Sequence, residues 1–248
     1  MMKKLFFRTF MVGIFWTTLC FAQNDTAQVN KEFAKGDIQA IKNAIDYYKR
    51  ALKENPASYE AAWKCTKALR EYANEHKLKI LSNWKSVCTK YGKEAMSYGK
   101  KAQNLNPNGV EGFYWYGLAV GTYSDGVSIL RALKEGLKNK TQSSFEKAYQ
   151  LDKNYQSGGP ILSLGRFWSV LPWPLKDKKQ AEKYFKEYEK LGYFKTSPFR
   201  YEARVFYAEL LIDMGQKGDK TVKMLNEALS VKNRFFRDYA QRLLKKVQ

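Results

Sequence analysis

The chain has 248 residues, and its 44 Lys and Arg against 24 Asp and Glu leave a formal net charge of +20. A hydrophobic share of 44% is too high for an intrinsically disordered chain and is enough for a packed core. One histidine and three cysteines exclude a histidine-rich metal site and a disulfide framework.

At the start of the chain, Lys3, Lys4 and Arg8 precede an apolar run from Phe10 to Phe21, and Cys20-Phe21-Ala22 supplies the small residues of a cleavage site. Residues 1–22 read as a signal peptide cut after Ala22, leaving 23–248 as a single helical-repeat domain that is periplasmic or secreted. The apolar run ends at Gln23-Asn24-Asp25, short of the roughly 20 residues a spanning helix needs. Leu19 is larger than the residue that normally precedes a lipidated cysteine, so simple cleavage ranks above attachment through Cys20.

The basic surplus persists without the leader and points to anionic partners. Export removes nucleic acid from that set, and no ring-stacking motif of an RNA-binding sheet is present. Anionic headgroups of the envelope surface, cell-wall polymers, an acidic protein and plain colloidal repulsion remain. Cys65 and Cys88 survive cleavage. In an oxidising compartment they can bridge, worth about 3 kcal/mol in the chain-entropy model; the alternative is two buried thiols acting as small apolar groups.

From about residue 37 to the end the periodicity is helical, and no stretch alternates as a strand does. Turn signals divide it at Gly36-Asp37, Asn55-Pro56, Asn106 to Gly109, Gly158-Gly159-Pro160, Pro172-Trp173-Pro174, Ser197-Pro198 and Gly215 to Asp219. Within the helices a small-residue beat recurs: Ala44 and Ala51, Ala95 and Ala102, Thr141 and Ala148, and Thr221 and Ala228 are each seven apart. Tyr48, Gly99, Phe145 and Leu225 stand three before the second member, and Pro56, Pro107, Lys153 and Asn233 five after it. Small residues let a neighbouring helix approach and the residue between them fills the groove. This is the pattern of the second helix of a tetratricopeptide pair, and it predicts an all-α tetratricopeptide-like helical-repeat array. Ala181, Phe185 and Tyr188 form a further block whose second small residue is a ring.

First helices should follow W-x2-L-G-x2-Y. Trp115, Leu118 and Ala119 match it, as do Leu164, Gly165 and Trp168, and Tyr207, Ala208 and Leu211, while Trp63 and Thr66 open a weaker copy. Ala51, Ala102, Ala148, Tyr188 and Ala228 are spaced more widely than the ~34 residues of a standard repeat. The extra residues fall at His76 to Tyr91, Gly121 to Lys140 and around Pro172. From Arg234 on, Phe235, Phe236, Tyr239, Leu243, Leu244 and Val247 form one stripe. That suits a capping helix over the last repeat, or a basic amphipathic helix on anionic lipid.

With Trp115 and Leu118 at packing positions, Phe113, Tyr116, Val120 and Tyr123 fall on a neighbouring face that lines a concave groove. Lys64 and Tyr72, and Arg166 and Ser169, occupy the corresponding faces of adjacent first helices; Pro172-Trp173-Pro174 reads first as a rigid bend and second as a rim from which Trp173 covers the groove. Rings with a polar tip and an arginine are the residue types that anchor protein interfaces; the same rings can equally be core.

Gly158-Gly159-Pro160, Leu164-Gly165-Arg166, Pro172-Trp173-Pro174-Leu175 and Asp177 leading to Ala181 and Phe185 resemble, in this order, the T-component proteins associated with TRAP transporters. The similarity spans roughly Asn104 to Val231. The resemblance implies a curved, all-helical periplasmic protein without catalytic activity that engages the transporter's substrate-binding protein and holds an apolar ligand.

Enzymatic signatures are thin. His76, in Asn74-Glu75-His76-Lys77, reads as a solvated residue at a polar helix end rather than a general base. No Gly-x-Ser-x-Gly elbow or phosphate-binding loop is present, and Glu182, Glu187 and Glu189 lie among lysines at ion-pair spacings. The expected function is a non-enzymatic adaptor for another protein, without cofactor, self-association being left open. The alternative is a carrier of a small apolar or anionic ligand between the first helices.

Overall fold

The computed structural model describes residues 27–33 and 35–247. The leader assigned to residues 1–22 lies outside them. All regular elements among the described residues are helices: residues 27–33 (α1), α2 (Ile38–Glu54), α3 (Tyr59–Leu78), α4 (Trp84–Leu105), α5 (Val110–Gly126), α6 (Ile129–Lys134), α7 (Leu137–Asp152), α8 (Tyr155–Val170), α9 (Lys178–Lys190), α10 (Tyr193–Thr196), α11 (Arg200–Asp213), α12 (Asp219–Ala228) and α13 (Arg234–Leu244).

Local chemistry sets several of their ends. The Asp37 carboxylate accepts from the backbone N–H groups of Gln39 and Ala40, Ser58 Oγ from Ala61, Asp177 from Gln180 and Asn233 from Phe235. Each satisfies a donor that a helix start leaves without an intrahelical partner. The extra length between repeats is absorbed in three ways: α3 and α4 are long, α6 is inserted between α5 and α7, and residues 171–177 form an irregular connection.

The helices alternate as first and second members of pairs. First helices α3, α5, α8 and α11 each pack on the next first helix, the last of them on α13, as well as on second helices. Side-by-side approach of the first helices puts them on the inner side of the curve. The small-residue beat forms the seam: Ala44, Ala95, Ala102, Thr141, Ala148, Thr221 and Ala228 are buried, as are Tyr48, Phe145 and Leu225 between them. In the block at Ala181 the ring that replaces a small residue is covered by the short α10. Tyr188 is fully buried, with Phe194 edge-on at 5.3 Å and Tyr193 at 5.1 Å.

The turn signal at Gly158-Gly159-Pro160 marks a left-handed turn through Gln156, Ser157 and Gly158, with φ of 50°, 56° and 79°, that kinks α8 near its start. Pro160 then sits in the first true turn, where no N–H is needed. One local expectation changes: His76 is buried rather than solvated, since α3 runs on past it to Leu78. Its Nδ1 lies 2.8 Å from the Tyr72 carbonyl oxygen and its ring 4.5 Å from that of Tyr72.

Candidate functional site

The inner face is organised by the small residue of each first helix. Gly117 faces Phe145 of α7 so closely that a Cβ there would lie 2.5 Å from the ring, and Gly165 takes Phe185 of α9 in the same manner. Thr66 stands against Gly99 of α4, and Ala208 and Ala240 are fully buried. The residue directly after three of these reaches neighbouring first helices: Lys67 after Thr66, Arg166 after Gly165 and Glu209 after Ala208.

These residues join two chains of contacts across the first helices. Lys67 Nζ lies 5.2 Å from the centroid of the Phe33 ring of α1 and 5.1 Å from that of Trp115 of α5. Trp115 Nε1 in turn donates to the Tyr155 hydroxyl of α8 at 3.0 Å. Burial holds the Lys67 ammonium below the ordinary lysine value, and Lys64 adds repulsion. One step along α3, Arg70 donates from Nη1 to Glu71 at 2.8 Å while its buried Nε has no partner. Further along, Arg166 pairs with Glu209 of α11 and holds its guanidinium over the Phe206 ring, 4.2 Å from the centroid. The Tyr239 hydroxyl of α13 donates to the other Glu209 oxygen at 2.5 Å. Cations over ring faces are attracted by the ring quadrupole, and a planar guanidinium keeps donors free at its edge.

Of the residues expected from sequence, Arg166 belongs to this row. Tyr116, Val120 and Tyr123 do not: they are buried with Leu137, facing second helices α4 and α7. The first-helix register of α5 is therefore set by Gly117, not by Ala119, and Trp115 lies on the row rather than against the paired helix. In α3 likewise, Ala62, Cys65, Thr66 and Leu69 are the buried set, and Trp63 is only half-buried. Phe113 is half-buried against the main core. Tyr72 turns towards α4, its ring 4.6 Å from Tyr91. Lys64 pairs with Glu60 on its own helix. Ser169 is buried and donates to the Arg166 carbonyl at 2.8 Å. Trp173 stands away from the row on the α8–α9 connection, 90% exposed. Cys65 and Cys88 are separate buried thiols, not a bridge. Cys65 sits in the α2–α3 core, whereas Cys88 lies under Ala73, whose carbonyl accepts from its thiol at 3.7 Å.

Sequence reasoning missed Lys67, Arg70, Phe206, Glu209 and Tyr239. A signal for two of them was legible: a charged residue directly after the small packing residue, as in Thr66-Lys67 and Ala208-Glu209. Among the described residues no group of three His, Cys, Asp or Glu is placed to hold a metal ion.

A family model described as regulator of microtubule dynamics protein 1-3 matches residues 25–247, nearly all of the chain. The chain belongs to this family. No curated protein matches it. Among solved structures, this member of the regulator of microtubule dynamics protein family is similar to TTC0263, a thermophilic TPR protein of Thermus thermophilus. The TM-score is 0.58 at 22% identity, with 91% of this chain and 98% of that one covered. YrrB, a TPR protein with an unusual peptide-binding site, gives 0.45 at 14% identity over 86% and 90% of the two chains. Yeast Tom70 gives 0.42 at 14% identity over 85% and 44%. The likeness to TTC0263 shows the tetratricopeptide-like repeat fold.

Proposed function

We propose that this protein is a non-enzymatic helical-repeat scaffold that holds a carboxylate-bearing segment of another protein along the inner face of its first helices. The observation that supports it is the row of cations laid over rings: Lys67 between Phe33 and Trp115, and Arg166 over Phe206. Each ring fixes its cation with little further loss of side-chain freedom, and the half-buried Phe33 and Phe206 rings offer apolar area beside it. A segment with alternating acidic and apolar residues matches that lining, and the chain's charge of +20 draws such a segment in.

The partner we favour is a periplasmic substrate-binding subunit of a TRAP transporter. The leader-like residues Lys3 to Ala22 support export. The ordered Gly158-Gly159-Pro160, Leu164-Gly165 and Pro172-Trp173-Pro174 motifs support the T-component likeness.

Affinity capture from a periplasmic extract with the wild-type chain and with Lys67→Ala plus Arg166→Ala tests the reading. The double variant should recover at least about tenfold less of the partner, in line with loss of two interface anchors. Equal recovery would sink the assignment of this face.

A further inference from the structure

We propose that the edge of the array formed by the connections from first to second helices seats on the surface of an anionic phospholipid bilayer. In a stack of alternating helices these connections share one edge, and contacts between them are on view. Lys77 near the end of α3 pairs with Asp125 near the end of α5 at 2.6 Å. Lys138 at the start of α7 lies 5.5 Å from the Trp168 ring near the end of α8, and Lys176 pairs with Asp213 at the end of α11 at 2.8 Å.

Among the described residues, this edge carries most of the large apolar side chains left in solvent. Ile80 tips the α3–α4 connection, Ile129, Leu130 and Leu133 project from α6, and Trp173 tips the α8–α9 connection. Leu130 is 81% and Trp173 90% exposed, and no residue of α6 is buried. The α6 helix meets the core through Ala132 and through Arg131 over the Tyr123 ring, and leaves Ile129, Leu130 and Leu133 exposed.

The charge is also one-sided. Segments 77–85, 125–140, 176–179 and 213–220 on this edge hold twelve Lys or Arg against five Asp or Glu. The opposite edge, at 53–58, 104–111, 150–156, 189–197 and 229–234, holds six against four. Lysine is depleted at the cores of protein interfaces, whereas lysines beside aliphatic and tryptophan side chains suit the headgroup region of an anionic membrane. No helix among the described residues is long and apolar enough to cross a membrane.

Sedimentation of the full chain with vesicles tests this. Vesicles of phosphatidylcholine mixed with an equal part of phosphatidylglycerol should bind it about tenfold or more tightly than phosphatidylcholine alone, and added salt should release it. Leu130→Glu with Trp173→Ser should lower binding to the mixed vesicles roughly tenfold. Leu105→Glu with Leu191→Glu, exposed aliphatics of the opposite edge, should leave it unchanged. Binding absent from mixed vesicles, or lowered equally by both pairs of substitutions, overturns the proposal. So does a dimer in solution that Leu130→Glu with Trp173→Ser dissociates, which assigns the edge to a second copy of the chain.

Discussion

Arg166 of α8 and Glu209 of α11 are paired across adjacent first helices, with the Phe206 ring beneath the guanidinium and the Tyr239 hydroxyl on the far carboxylate oxygen. The pair is partly exposed, so its charge alone contributes little, and the stacked ring adds a second term. Arg166→Ala should destabilise by about 1 kcal/mol in urea unfolding. Arg166→Lys should retain the charge and recover only part of the loss, since an ammonium does not lie flat on a ring. An Arg166→Lys variant as stable as wild type would show that stacking contributes nothing.

Three glycines test the packing register. A Cβ at Gly92 would lie 2.7 Å from the backbone nitrogen of Tyr123, and one at Gly117 2.5 Å from the Phe145 ring. At Gly121 nothing lies within 4 Å. Gly92→Ala and Gly117→Ala should each cost about 1–3 kcal/mol through forced separation of helices. Gly121→Ala should stabilise by about 0.5–1 kcal/mol, because alanine is the better helix former. Chemical denaturation of the three variants measures this directly; a harmless Gly117→Ala would return the register to Ala119.

Burial pushes the Cys65 thiol up to about 12 and the Cys88 thiol up to about 11. Neither forms an appreciable thiolate at pH 8, and neither is reached by solvent. A thiol reagent should label neither in the native protein and both in concentrated urea. Failure to label the urea-unfolded, unreduced chain would indicate a bridge.

Glu202 is held above the ordinary carboxylate range by burial, and its Oε2 has no hydrogen-bond partner. Its folded-state value exceeds its unfolded value, so the protonated form favours folding. The stability it allows is complete below the unfolded value and is lost as pH rises through the folded one. Glu202→Gln should therefore raise the melting temperature at pH 7 by roughly 2–4 °C and by less at pH 4. Equal gains at both pH values would remove ionisation as the cause.

The second helices were legible because each buries one narrow seam. Ala95, Ala102 and Ala148 had to be small for a helix to approach, and Phe145 or Leu225 had to be large to fill the gap. That pattern survives in sequence because a seam has one period and one face. First helices are harder to read. The α5 helix is contacted by α3, α4, α7 and α8, so Tyr114, Trp115, Tyr116, Val120 and Tyr123 are buried on several sides. Gly117, Ala119 and Gly121 then compete equally for the close approach, and the rings around them cannot be sorted into core and groove by spacing.

By itself the sequence determined an all-helical repeat array, the order of its helices and the faces of the second helices, since these follow from periodicity and side-chain volume. Only the tertiary structure decided which of three small residues in α5 meets Phe145, and with it that Tyr116, Val120 and Tyr123 are core while Lys67, Trp115 and Glu209 line the inner row. Distances between helices far apart in sequence make that choice, and no local spacing encodes them.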